Sequence, residues 1–238
     1  MIELTNLVKR FGDLVAVDGI SLTVPRGEFF AVLGPNAAGK TTTIKIVTGL
    51  IKPTSGTAKV AGFDIQTHPL EARRRLAFVP DFPFLYDKLT PMEFIRFTGQ
   101  IFEMDEESMQ AAAEPLIDAF NLGPYLQKPI ESLSHGTRQR VAIVSALVHA
   151  PEVFVLDEPM VGLDPHHARV LKDILKERSL KGMTVFISTH QLSVAEEMAD
   201  RIGIIHRGQL VAVGTQEELR KQSGSSGSLE PIFLALTK

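Results

Sequence analysis

The nine residues GPNAAGKTT at 34–42 constrain this chain more than any other stretch of it. They satisfy the pattern GxxxxGK[ST] in full, and the flanks agree. The apolar run Phe29, Phe30, Ala31, Val32, Leu33 predicts a buried strand, and 41–50 predicts a helix stopped by Gly49. Strand, Gly-rich loop and helix in that order build an anion site. Backbone N–H groups of a tight turn and of a helix N-terminus converge on one point, where the helix dipole also favours negative charge. Gly34, Pro35, Asn36, Ala37, Ala38, Gly39, Lys40, Thr41 and Thr42 are therefore the candidate phosphate-binding set. Lys40 has the reach for the β- and γ-phosphates, and the Thr41 hydroxyl suits Mg²⁺. Such a chain binds a nucleoside triphosphate.

Composition removes several other classes. A net charge of −3 over 238 residues gives no basic footprint for nucleic acid. Cysteine is absent, which excludes disulfides and thiolate-ligated metals. No apolar run approaches the roughly 20 residues that span a bilayer, and the N-terminus lacks a leader pattern, so the expectation is a cytoplasmic protein. At this length roughly 70–75% of the unfolded surface is buried on folding.

Along the chain, 2–11 alternates as a strand and 15–24 as one or two more; 57–60 suggests a further antiparallel piece, and 76–80 a short buried strand. From 91 to about 150 the apolar period becomes helical, which predicts a helical subdomain. The run 153–157, VFVLD, reads as a central parallel strand. Strands at 183–188 and 202–206 alternate with helices at 166–180 and 192–199, a hairpin follows at 208–213, and Thr215 caps a short helix. SGSSGS at 223–228 has linker composition, and 229–236 is apolar enough to dock on the core.

Further residues make sense beside a triphosphate. Asp157 ends a buried strand, where α/β sheets place ligands, and Glu158 follows it; one carboxylate can serve Mg²⁺ and the other the attacking water. His190 ends the next strand and falls at the same sheet edge. The segment LSHGT at 133–137 opens a helix, so Ser134 and the following N–H groups form a second helix-N-terminus anion site, although an ordinary N-cap serine explains that segment equally well.

The ordered set Phe11, GPNAAGKTT, Asp81, LSHGT, VFVLDE, GLD at 162–164 and His190 resembles the ATPase subunit of ATP-binding cassette (ABC) transporters, over almost the whole chain. The resemblance implies an α/β fold: a P-loop NTPase core of RecA type, an antiparallel β subdomain and the inserted helical subdomain. It implies a cassette over 1–222, a linker at 223–228 and a docking segment at 229–238. It assigns Phe11 to adenine stacking, with a core phenylalanine as the alternative. It gives ATP and Mg²⁺ as ligands, Thr41 and Asp157 to the metal, Glu158 as general base and His190 as switch histidine. Ser134 and Gly136 would complete the site of a second ATPase chain in a head-to-tail dimer, favoured as a homodimer with a heterodimer as the alternative. The membrane enters only through a separate transmembrane permease, which places the chain at the inner face of the cell membrane. The ending LEPIFL resembles the exporter branch.

Four departures stand out. Asp81 replaces the usual glutamine and remains a metal ligand; His135 and Thr137 replace glycine and glutamine in the signature; Ala37 replaces a common glycine. The expectation for His135 is that it points to solvent, with a pH-dependent donor near a γ-phosphate as the alternative; Ala37 is harmless if its φ is negative. Asp81 and His135 also motivate the reading of a weakly hydrolysing regulatory subunit. A soluble non-transport ABC ATPase is the other rival. The aromatic loop 82–86, FPFLY, is either an interface anchor or core packing.

Overall fold

The computed structural model describes residues 1–223 and 229–236. Strands β1 (Ile2–Phe11) and β2 (Leu14–Val24) pair as an antiparallel hairpin, and β2 is one continuous strand. The chain then enters β3 (Phe29–Leu33) and, through the Gly-rich loop, α1 (Lys40–Val47). Gly49 stops α1 as expected. In the left-handed region at φ 69°, it donates to Ile46 O while Leu50 donates to Lys45 O, the paired bonds of a Schellman cap.

β4 (Ser55–Val60) and β5 (Phe63–Asp64) complete a four-stranded antiparallel sheet in the order β2-β1-β4-β5. The six-residue helix α2 (Pro69–Arg74) was not foreseen: it buries only Ala72, too short a signal to show a period. After β6 (Leu76–Val79) come α3 (Pro91–Ile101) and α4 (Glu106–Ala119). Two 3₁₀ turns lead on to α5 (His135–Leu147). α3 begins where the sequence says it must: Thr90 and Glu93 cap each other reciprocally and Pro91 takes the first helical position.

β7 (Val153–Asp157), α6 (Pro165–Leu180), β8 (Thr184–Thr189), α7 (Leu192–Met198), β9 (Arg201–His206) and β10 (Gln209–Gly214) complete the second sheet, in the order β10-β9-β3-β8-β7-β6. β6, β7, β8, β3 and β9 are parallel, and β10 closes one edge antiparallel to β9. α8 (Gln216–Ser223) begins at Thr215, whose hydroxyl accepts from Glu218 N–H at 3.2 Å. α9 (Leu229–Leu236) then buries Leu229 and Ile232 in the core. Residues 224–228 of the linker-like SGSSGS lie outside the described residues.

The central strands read as continuous apolar runs because both of their faces are covered. Alternate residues feed two cores. Phe29, Ala31, Leu33, Phe154 and Leu156 face the layer that contains α5 and α6. Phe30, Val32, Val153 and Val155 face α1 and the antiparallel sheet. Each phenylalanine, leucine or valine among them contributes roughly 1.5–3 kcal/mol of burial. The parallel register then brings three strand ends to one edge: Leu33 lies opposite Thr189, and Asp157 opposite Ser188.

Candidate functional site

Leu33 delivers the chain into the loop 34–39 at that edge. Gly39 is required there: its φ is 109°, and a Cβ on it would sit 2.5 Å from the Ala16 carbonyl. Ala37 does not meet the condition under which it is harmless. Its φ is 62°, in the left-handed region, where an alanine costs about 1–2 kcal/mol relative to its ordinary conformation. The loop is held open by a remote residue, as Gly208 N–H donates to Ala38 O at 2.8 Å. No side chain caps α1, so its first N–H groups face the loop without intrahelical partners.

Lys40, only 7% exposed, donates to Gly34 O at 2.7 Å and Pro35 O at 3.2 Å. Burial lowers the pKa of its ammonium, while the charges of Glu158 and Asp157 work to raise it. Gly34 and Pro35 thus serve this lysine with carbonyls, and the cavity wall itself begins at Asn36.

Asp157, at the end of β7, is buried and accepts a short hydrogen bond from the Ser188 hydroxyl. Glu158 sits at φ 49°, a conformation that turns it away from the strand and from its neighbour. Its carboxylate is fixed on both oxygens: Oε2 accepts from the Thr189 hydroxyl at 3.2 Å, and Oε1 lies 2.9 Å from His190 Nδ1. Its backbone N–H donates to Ser188 O at 2.9 Å.

A cavity of about 600 Å³ joins Asn36, Ala37, Ala38, Gly39, Lys40, Thr41 and Thr42 with Phe11, Asp81, Asp157 and Glu158. Phe11 is half-exposed at the cavity mouth, outside both cores, so the core alternative does not hold. Asp81 folds its Oδ1 onto the Phe82 N–H at 2.8 Å. Sequence reasoning missed Leu14, Val15, Ala16 and Arg207, which also line the cavity, and the Ser188 and Thr189 hydroxyls that orient the carboxylates. The hydroxyls were readable in principle, since they directly precede His190 at a strand end. Arg207 lies in a hairpin turn, with nothing in its neighbours to mark it.

Ser134 and Gly136 are not in this cavity. They line a separate one of about 180 Å³ with Thr137, Arg140, Gly162, Leu163 and Asp164. Ser134 does cap α5, accepting from Thr137 N–H at 3.3 Å. His135 stays exposed, as expected, but it is not free of contacts: its ring stacks on the exposed Phe82 at 5.5 Å and lies against the Gly162 backbone, where a Cβ would come within 2.4 Å of it. A glycine at 162 leaves room for that imidazole.

Within the aromatic loop both expectations hold in part. Phe84 is 86% exposed and Phe82 and Tyr86 are exposed too, while Leu85 packs on the core. Phe84 and Pro83 border a groove of about 240 Å³ between the parallel sheet and the helical segment, floored by Phe78, Phe94, Phe102 and His149. The His149 ring stacks on Phe102 at 3.5 Å, and neither of its nitrogens has a hydrogen-bond partner. Burial pushes its pKa down to about 4. The folded chain therefore holds His149 neutral where the unfolded chain, near the ordinary 6.5, takes a proton. Stability is expected to fall as pH drops from about 6.5 towards 4, by about 3 kcal/mol for this group. Urea titrations across that range should show the slope, and His149→Leu should flatten it; an unchanged slope would rule out this source.

Among the described residues no helix is long and apolar enough to cross a membrane. No cluster of three or more His, Cys, Asp or Glu forms a metal cage among them either.

Comparison with known proteins agrees with the geometry. The family described as ABC transporter matches residues 17–161, more than half of the chain. The probable multidrug ABC transporter ATP-binding protein YbhF of Escherichia coli is 36% identical over 98% of this chain, which spans 40% of that protein's length. The Nod factor export ATP-binding protein I of Burkholderia lata is 37% identical over 92% of this chain and 72% of its own length. A solved structure described as the ATP binding subunit of an ABC transporter superposes with a TM-score of 0.96, at 33% identity and full coverage of both chains. A dimeric post-hydrolysis ATP-binding cassette bound to ADP and Pi matches with a TM-score of 0.82, at 27% identity over 90% of this chain and 98% of that one. The fold is accordingly that of a RecA-like P-loop core with β and helical subdomains. Matched by sequence and by structure, the chain belongs to the ABC transporter family as one of its ATP-binding cassettes.

Proposed function

We propose that this chain binds and hydrolyses ATP as the motor of a transporter whose membrane-spanning permease is a separate protein. The observation that carries this reading is the meeting, in one cavity, of the phosphate loop and Lys40 with Glu158, whose carboxylate lies 2.9 Å from His190 Nδ1. Phe11 stacks on adenine. The loop N–H groups cradle the phosphates, and Lys40 exchanges the Gly34 and Pro35 carbonyls for the β- and γ-phosphate oxygens. A water attacks the γ-phosphorus in line, the bond to the β-phosphate oxygen breaks, and Glu158 takes the water's proton. His190 holds the Glu158 carboxylate in place and faces the same γ-phosphate.

Mg²⁺ fits this donor set, because it is ordinarily bound by one or two side chains together with substrate phosphates. Thr41 and Asp157 would hold it, with Asp81 at the rim, and bound there it would neutralise charge on the phosphates. If Asp81 contributes, Asp81→Gln should raise the Mg²⁺ concentration for half-maximal turnover roughly fivefold, the effect of about 1 kcal/mol at an exposed carboxylate. A Mg²⁺ titration with an unmoved midpoint, and unmoved partner-stimulated turnover, would remove Asp81 from the site.

Ser134 and Gly136 open onto a different cavity, which supports a role towards a nucleotide held by another chain. That arrangement is a head-to-tail pair, most simply of two copies. The groove bordered by Pro83 and Phe84 suits a permease segment with an apolar face, which would hold this chain at the inner face of the membrane. Export is the direction supported by the relatives, one named for Nod factor export and another for daunorubicin/doxorubicin resistance. The test is the mass of Glu158→Gln by light scattering with and without Mg-ATP. Doubling with ATP supports a homodimeric motor; an ATP-bound monomer would favour a heterodimer or a permease-dependent pair.

A further inference from the structure

Five polar side chains form an unbroken line from the loop after β7 to the Ser134 hydroxyl. Asp164 accepts from the His167 backbone N–H at 3.0 Å and lies 2.6 Å from His167 Nδ1. His167 Nε2 lies 3.0 Å from Arg140 Nη1, and Arg140 Nη2 donates to Thr137 Oγ1 at 3.0 Å. Thr137 Oγ1 lies 2.9 Å from Ser134 Oγ. The three middle members are buried, at 3% for Thr137, 8% for Arg140 and 9% for His167. The guanidinium is further fixed by Phe120 O at 2.6 Å and Gly136 O at 3.4 Å.

The chemistry of the groups orients the bonds of this line from Asp164 as far as Thr137. A guanidinium has donors only, so His167 Nε2 must accept and is bare; the ring proton sits on Nδ1 and is donated to Asp164. The hydrogen bonds from His167 hold the Asp164 carboxyl down to about 2, so it is an acceptor at neutral pH. On the other side Thr137 Oγ1 accepts from Arg140 and has its own hydrogen left to give. By geometry alone the 2.9 Å bond between Thr137 Oγ1 and Ser134 Oγ can run either way; the charged Arg140 donor on Thr137 Oγ1 polarises that hydroxyl towards giving its hydrogen to Ser134. Ser134 Oγ also accepts from Thr137 N–H at 3.3 Å. With Thr137 as the donor in both bonds, the Ser134 hydroxyl hydrogen is left over and is presented outward.

We infer that the line Asp164–His167–Arg140–Thr137 is a positioning relay that sets the polarity of Ser134, making its hydroxyl a donor to a phosphate oxygen of ATP held by the partner chain. This rests on the two-chain reading above. A triphosphate at neutral pH offers acceptors only, so a serine free to rotate would spend part of its time presenting a lone pair to it; the relay removes that state. Thr137, where the family resemblance implies glutamine, supplies the hydroxyl that makes the final bond. His167 and Thr137 touch no nucleotide themselves.

The test uses the full chain in the Glu158→Gln background, with Mg-ATP-driven dimerisation followed by light scattering over a range of protein concentration. Thr137→Val keeps the shape and removes the hydroxyl; it should weaken ATP-driven dimerisation about 10–100-fold, the effect of losing one charge-facing hydrogen bond. His167→Leu should do the same. Thr137→Ser, and His167→Gln with its amide donating to Asp164 and accepting from Arg140, should restore pairing. Binding of ATP to the single chain serves as the check that each variant is folded. If the parent dimerises and Thr137→Val dimerises equally well, or if Thr137→Ser is no better than Thr137→Val, the relay is overturned while the two-chain reading stands. A parent that stays monomeric overturns the pairing of two identical chains and, with it, the relay acting between them.

Discussion

Glu158→Gln is expected to lower steady-state ATP hydrolysis by about 10²–10⁴-fold, the usual range for a positioned general base, with ATP binding retained. The argument is specific to the geometry. Glutamine keeps the length of the side chain and an oxygen for the Thr189 hydroxyl, which lies 3.2 Å from Glu158 Oε2. The left-handed backbone, at φ 49°, treats glutamate and glutamine alike. What changes is the capacity to take a proton from water. The substitution therefore separates binding from chemistry, which is why the association experiments use it. Single-turnover measurement of phosphate release at saturating Mg-ATP checks it. Turnover within a factor of about ten of the parent would place the base elsewhere.

Lys40→Met is expected to weaken ATP binding by about 10²–10³-fold and to leave AMP binding nearly unchanged. Methionine keeps an apolar stem of similar length in this buried position. It removes the charge-assisted hydrogen bonds to the two outer phosphates, each worth about 1.5–3 kcal/mol. The contrast between nucleotides is the informative part. A general loosening of the loop, with Gly34 and Pro35 carbonyls left unpaired, would weaken ATP and AMP together. Calorimetric titration with each nucleotide distinguishes the two, and an equal loss for both would show that Lys40 acts on the loop rather than on the phosphates.

Much of this site could be read before any coordinates. The runs 29–33 and 153–157 are apolar at every position because both faces of their strands are buried, and that pattern fixes the edge at which 34–42, Asp157 and His190 meet. Local chemistry likewise placed the Ser134 cap and the stop at Gly49. What the sequence left open is geometry that comes from distant segments. The φ of Ala37 depends on a loop tied to Gly208, and His135 is turned aside by Phe82 and Gly162, neither of them its neighbour in sequence. Helix α2 was lost for a different reason, since six residues with one buried alanine carry no measurable period. The relay behind Ser134 was also hidden, because its members become adjacent only when α6 packs beside α5.

The strand order has a consequence for how the protein is made. β3, which delivers the phosphate loop, is flanked in its sheet by β8 and β9, both translated more than 140 residues after it. The loop's own tether, Gly208, is later still. A ribosome releases the chain from the N-terminus, so the residues that define nucleotide binding emerge first and wait longest for their neighbours. Until β8 is out, β3 has two unpaired edges, and until the segment through 208 is out, the loop lacks its tether. Nucleotide cannot act as an early folding ligand for this cassette; its affinity becomes available only when the last third of the sheet closes around a strand made at the beginning.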